Sequence, residues 1–379
     1  MTTGNLTQTS SLAADIDAER ALAAQAGLVV HAAEALNCET PPALLGGEVT
    51  PTAQFYRRSH FPTPVLDPSK WRLDVRGMVR RPLSLSLHHL TQLPAETSVV
   101  TLECAGNGRT LFRPQAPGVQ WGFGATGTAE WTGPLLADVL ARAGVEPDAC
   151  EVVFGGADRG MVDGLAQSIR FERSLPLRDA MDAGALLAYA MNGHPLPLRH
   201  GYPLRLVVPG WYAVASVKWL TDIRVVAEPF SGFFQDTHYV YEWNRGGNRA
   251  REPIRLMQVR AVITRPATGQ ELACGTVIVR GVAWSGAAPI ARVEVSVADG
   301  AWQKARLIGM PATSGWQQWE FLASSLPSGE TRIRARASDL AGRVQPDQPE
   351  WNALGYAANF IHEVRVRLQL SSYFRVWPE

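Results

Sequence analysis

The sequence predicts an α+β chain in two parts, a mixed region of strands and helices followed by an all-β region. Over residues 50–245, short apolar strands alternate with helices in irregular order, which suits α+β better than a doubly wound parallel sheet. From residue 250 onward, short segments with period-two alternation follow one another between turn residues, the pattern of a β-sandwich. The 34 glycines and 26 prolines among 379 residues favour a turn-rich fold over a helical bundle.

Taken in order, residues 1–50 read as an N-terminal arm: a helical pattern over Asp15–Ala35, then the turn-rich PPALLGGEVTPTA. Residues 51–250 form the first domain. LDVRGMV (73–79) has strand character, and LSLHHLTQLP (85–94) reads as a short helix ended by Pro94. SVVTLECAG (98–106) is a strand running into a glycine turn. PLLADVLARAG (134–144) is an amphipathic helix closed by Gly144. CEVVFGGADRG (150–160) is a strand entering a glycine-rich loop, and LLAYAMNG (186–193) and PLRLVVPG (203–210) are apolar strands stopped by Gly or Pro. The polar, glycine-rich WNRGGNRAREP marks the boundary, and residues 251–379 form the second domain, with ADGAW as a hairpin turn.

Composition excludes several functions. Thirty-six basic and 35 acidic residues leave a net charge of +1, so no basic excess points to nucleic acid or a membrane surface. No apolar run approaches the roughly 20 residues of a membrane span. The N-terminus shows neither a basic start with an apolar stretch nor a twin-arginine pair, so a cytoplasmic location is expected. Cys38, Cys104, Cys150 and Cys274 are too far apart for zinc or iron–sulfur spacing, and no CxxCH haem motif is present.

Cys104 ends a strand in VVTLECAGNGRTLF, just before small residues that let a bulky ligand approach the backbone. Arg109, five residues on, can place a cation near the thiolate, which favours the metal-binding form. A soft thiolate suits a soft or high-valent metal. On spacing alone, a buried structural cysteine remains the simpler reading.

CAGNGR resembles the molybdenum-ligating motif of the sulfite oxidase family, usually CAGNRR. FYRRSHFPTP (55–64) is similar to the family's F-x-R-N-H-x-P-x-P segment, with Ser59 in the Asn place. LAYAMNGHPLPLRHGYPLRLVVPGWYAVASVKWL (187–220) resembles the family's segment L-A-Y-x-M-N-G-x-P-L-P-x-x-H-G-x-P-x-R-x-x-x-P-G with its later V-K-W, and the all-β tail resembles its immunoglobulin-like dimerisation domain. The resemblance spans residues 50–370. It implies a mixed α/β molybdopterin-binding domain followed by an immunoglobulin-like sandwich, a homodimer, and a molybdenum cofactor whose metal takes a third sulfur from Cys104.

The same resemblance carries cofactor-binding positions onto Tyr56, Arg57, Arg58, Ser59 and His60, onto Asp158, His200 and Arg205, and onto Ser216, Val217 and Lys218. Molybdopterin carries a phosphate and a hydrogen-bonding pterin, so cations, donors and backbone amides are the right groups. Taken alone, His200 reads as a core or surface residue, Arg205 as a salt-bridge partner and Asp158 as a turn cap. For the small sulfite dianion the candidate pocket residues are Arg58, Arg109, Trp121 and Tyr239. Tyr239 stands in the family's tyrosine place, but His238 precedes it where the family has Asp, and Tyr241 is a nearby rival. Tyr239 and Trp121 could equally be core aromatics. In WNALGYAANF, Leu354 occupies a place where the family often has arginine. The implied activity is oxidation of sulfite to sulfate, with electrons passed to an external acceptor such as a cytochrome. The alternatives are another molybdenum enzyme on this scaffold, a nitrate or sulfoxide reductase, or a cofactor-free immunoglobulin-like binding protein.

Overall fold

The computed structural model describes residues 17–32, 35–245 and 248–370. The chain divides into two compact units. The first comprises the residues up to Thr40 together with Val49–Met257 and Trp351–Ala358; the second comprises Pro41–Glu48, Gln258–Glu350 and the residues from Asn359.

Two sheets organise the first unit. One has five strands in the order Leu83–Leu85, Leu73–Gly77, Leu220–Val226, Glu151–Gly160, Ile169–Pro176. Only the pairing of Leu220–Val226 with Leu73–Gly77 is parallel. The helix Leu136–Ala143 buries Leu136, Val139 and Leu140 in the same core as Leu73, Phe154 and Ile223, and Gly144 ends it in the left-handed region at φ 70°. The short helix Leu87–Thr91 opens with a capping box on Ser86 and ends at Gln92, ahead of Pro94. The other sheet has four strands, and its long pair is Glu96–Glu103 against Thr126–Gly133. This pair supports the site, because Cys104 follows directly and its amide donates to Ala125 O at 2.8 Å.

Three expectations change. The helix expected to Ala35 ends at residue 25, and a hairpin of Val29–Ala32 with Asn37–Glu39 follows, where β-branched Val29 and Val30 favour a strand. LLAYAMNG splits into Leu186–Ala188 and Ala190–Met191, which pair with different partners. GGADRG is no loop: the strand runs on to Gly160, with a bulge between Gly155 and Arg159 that absorbs the glycines.

The second unit is a β-sandwich with a four-stranded sheet, Arg260–Arg265, Gly275–Trp284, Gln317–Leu326 and Arg306–Ile308 in that order, and a five-stranded sheet. Alternating residues of both sheets, among them Val279, Trp319, Val293, Ile333 and Val366, form one apolar core. The ADGAW turn joins Ile290–Val297 to Gln303–Lys304, with Ala298 and Asp299 both at positive φ. Among the described residues no helix is long and apolar enough to cross a membrane.

Candidate active site

Cys104 lies where the strand Glu96–Glu103 gives way to a tight turn. Asn107 N donates to Cys104 O at 2.9 Å, and Gly108 takes φ 88°, which glycine adopts without strain. Asn107 braces the turn, its side chain donating to Glu103 at 2.9 Å and accepting from Ala125 N at 3.0 Å.

The thiol faces a cleft lined by Tyr56, Arg57, Arg58, Arg199, His200, Arg205, Ser216, Lys218 and Tyr239, together with Phe55, Leu102, Ala105, Ala213 and Val214. Five lining side chains are cationic types and none is a carboxylate. Burial pushes the Cys104 thiol pKa up, against a downward pull chiefly from Arg58.

The cations are held by backbone carbonyls and hydroxyls. Arg205 donates to His200 O at 3.0 Å and Ser216 O at 3.1 Å and lies 4.7 Å over the Trp131 ring. Lys218 Nζ donates to Ser59 Oγ at 2.6 Å and to Arg199 O at 3.3 Å. Burial pulls the Lys218 pKa down, with Arg205, Arg58 and Arg199 adding repulsion, while Asp158 opposes the shift. His200, edge-on to Phe55 at 5.6 Å, is kept neutral by burial and by the nearby Arg205, Arg57 and Lys218 charges.

At the other side, Arg58 Nη2 stands 3.0 and 3.1 Å from the two ring nitrogens of His60, and Arg58 also donates to Ser59 O. His60 Nε2 lies 2.8 Å from the Tyr239 hydroxyl. The Tyr239 ring stacks on Tyr356 at 5.0 Å. Burial depresses both neighbouring imidazoles, His60 far below its usual value and His238 to about 4, so neither carries charge near neutrality.

The expected site residues therefore separate. Tyr56, Arg57, Arg58, Cys104, His200, Arg205, Ser216, Lys218 and Tyr239 line one cleft, with Ser59 and His60 hydrogen-bonded to lining residues. Tyr241 is outside the lining set. Asp158 sits behind the wall, 5% exposed, and its Oδ1 has no hydrogen-bond partner among the described residues. Three residues depart from expectation. Arg109 stands outside the lining: its guanidinium donates to Val119 O, Leu354 O and Gly355 O at 2.9, 3.1 and 3.3 Å and so fastens the segment carrying Leu354, while its charge still helps to lower the Cys104 thiol pKa. Trp121 is fully buried, edge-on to His31 at 4.8 Å, because the apolar cluster around Cys104 takes it in. Val217 packs its side chain into the main core, and its carbonyl accepts from Leu206 N.

Sequence reasoning missed Arg199, Asn37 and Tyr356. Arg199 lines the cleft beside His200, inside a segment already singled out, so a signal existed. Asn37 accepts from Ser59 N at 2.8 Å and from Arg58 at 3.5 Å, a role created only by the N-terminal hairpin. Tyr356 backs the pocket by stacking on Tyr239, and its neighbour Ala357 N donates to Ala105 O at 2.7 Å, beside the cysteine.

The residues fit an anionic, phosphate-bearing cofactor. The Nε–H groups of Arg57 and Arg199 are buried without an acceptor among the described residues, and such donors are costly unless something binds them. Among the described residues no group of three His, Cys, Asp or Glu could hold a metal, so a metal on Cys104 would take its other donors from a non-protein ligand.

Residues 60–234 match the oxidoreductase molybdopterin binding domain family, and residues 251–369 the Mo-co oxidoreductase dimerisation domain family. Sulfite oxidase of Arabidopsis thaliana is 34% identical over 90% of this chain and 94% of its own. Mitochondrial sulfite oxidase of Homo sapiens is 38% identical over 89% of this chain, which spans only 65% of the human protein's length. The solved sulfane dehydrogenase of Paracoccus pantotrophus superposes with a TM-score of 0.78 at 28% identity, covering 88% of this chain and 85% of that one.

Proposed function

The chain belongs to the sulfite oxidase family of molybdopterin-dependent oxidoreductases, and on that premise we propose that it oxidises sulfite to sulfate and passes the electrons to an external acceptor. The observation that carries this reading is a buried thiol at the wall of a cleft lined by five cationic side chains and no carboxylate. When bound, the molybdenum cofactor supplies two-electron oxygen-atom transfer.

The chain's own residues have distinct roles. Cys104 Sγ would be the metal ligand, and the Arg58 charge favours the thiolate form that ligation requires. Arg57, Arg205 and Lys218 meet the cofactor's phosphate, and His200, Ser216 and Tyr56 offer hydrogen bonds to its polar edge. Lys218, whose charge burial weakens, would be held protonated beside a phosphate. Arg58 and the Tyr239 hydroxyl bind and orient the substrate anion, with His60 as the neutral bridge between them. The match of residues 251–369 to a dimerisation family supports a homodimer. A cytochrome suits the role of acceptor.

Elemental analysis after expression in a cofactor-competent host should find stoichiometric molybdenum, and the loaded protein should turn over sulfite with ferricyanide. Loaded protein inert towards sulfite would sink the sulfite assignment. A second reading is a sulfur substrate of lower charge, favoured by Leu354 in the arginine place and by the engagement of Arg109 with backbone carbonyls. Turnover of a sulfane-sulfur donor without turnover of sulfite would select it.

A further inference from the structure

Arg173, on the strand Ile169–Pro176, is 1% exposed and among the largest fully buried side chains of the chain. A buried guanidinium is costly unless it is well hydrogen-bonded. This one is engaged by backbone carbonyls. One Nη donates to Phe234 O and, at 3.4 Å, to Gln235 O; the other donates to Ile254 O at 3.0 Å. Burial lowers its pKa to about 10, so it stays charged at neutral pH.

The three carbonyls bracket Tyr239. Phe234 and Gln235 belong to the single π-type turn Phe233–Thr237 that leads into it, closed by His238 N donating to Phe233 O at 2.8 Å. Turns of this kind are rare and are found frequently at functional sites. Ile254 lies across from Tyr239, its amide donating to Tyr239 O at 3.0 Å. The next residue reinforces the hold, since Ser174 N donates to the Gln235 side chain at 3.2 Å.

We propose that Arg173 is a positioning residue for the substrate pocket, clamping the turn before Tyr239 to the residue opposite it and so setting where the Tyr239 hydroxyl meets His60. The proposal rests on the reading of Tyr239 as a pocket residue. Lysine, with one nitrogen, cannot replace a planar fork that reaches three carbonyls on two segments.

The test is a double-mutant cycle with a second, activity-independent readout. In the molybdenum-loaded enzyme, Arg173→Lys should lower kcat/KM for sulfite at least tenfold, while molybdenum content and Tm stay near the parent's. In a Tyr239→Phe background the same substitution should cost less than threefold, because the group it positions is already gone. Equal factors in both backgrounds would overturn the proposal. Hydrogen exchange of the His238 and Ile254 amides should quicken at least tenfold in Arg173→Lys, with the strand Gly275–Trp284 of the second unit unchanged. Unchanged exchange at both amides would overturn the clamp whatever the turnover. If Arg173→Lys does not fold, Arg173→Gln, which keeps an amide donor, takes its place. Failure of the parent enzyme to oxidise sulfite would sink the substrate reading alone and leave the exchange result as the test of the clamp.

Discussion

In the sandwich unit, Arg280 and Arg306 both hold Glu320 at 2.9 Å, Arg336 holds Glu294 at 3.0 Å, and Arg343 holds Asp339 at 2.9 Å. In the cleft of the first unit, Arg57, Arg58, Arg199, Arg205 and Lys218 line the walls with no carboxylate among the lining residues. The Glu320 pairs, whose arginines stand in water, contribute little to stability, whereas Asp339 is buried and held by its partner. Cations that outnumber their carboxylate partners, here Glu19 on Arg199 and Asp158 behind Lys218, cost stability and are typical of sites that take an anion. The contrast separates charge matched pair by pair from charge gathered in a cleft suited to an anion.

The largest expected effect breaks the cleft at its proposed metal ligand: Cys104→Ser should reduce sulfite turnover to background while thermal unfolding stays close to the parent's. Retained turnover in that variant would contradict the ligand assignment.

The sandwich hides a charge-sensitive group of its own. Burial, with Arg260 nearby, depresses His362 to about 3, and its Nδ1 accepts from Ile263 N at 2.9 Å. The unfolded chain takes up the proton near the ordinary value of about 6.5, before the folded state can. Stability from this group is thus full above that pH and lost as pH falls towards 3. Between pH 7 and 4.5 the loss should be about 2–3 kcal/mol in urea unfolding. His362→Gln, which keeps an acceptor for the Ile263 amide, should flatten that slope; an unchanged slope would assign it to other groups.

Arg58→Met sharpens the cleft side of the comparison. Losing one charge-assisted contact to an anion costs about 1.5–3 kcal/mol, roughly a 10- to 150-fold rise in KM for sulfite. A KM within a factor of two of the parent's would remove Arg58 from the substrate pocket. The smallest effect belongs to the surface network, where Glu320→Gln should leave both Tm and turnover essentially unmoved. A large drop in Tm would show that the network does more than solvate its face.

Much of this was legible from the chain. Period-two alternation from residue 250 onward identified the sandwich strands, since one face of each strand meets the core and the other meets water. The motif CAGNGR and the segments around Arg58, His200, Arg205 and Lys218 located the cleft wall, because short segments with specific backbone needs keep their form locally. The N-terminal hairpin was missed because alanine-rich sequence favours helix, while Val29 and Val30 have a partner strand to pair with.

By itself the sequence determined the type and order of most elements, the cysteine at the strand end and the supply of cations around it. Only the tertiary structure decided which long side chains face the cleft. Arg109 is five residues from Cys104, yet its guanidinium turns to Gly355, 246 residues away in the chain. Trp121 and Val217 turned into the core, while Arg199 came to line the cleft and Tyr356 to stack behind Tyr239. The physical reason is that periodicity and motifs are local, whereas a flexible side chain points to whichever partner the fold brings opposite it. That partner is often a backbone carbonyl from a distant segment, and its position is set only when the whole unit packs.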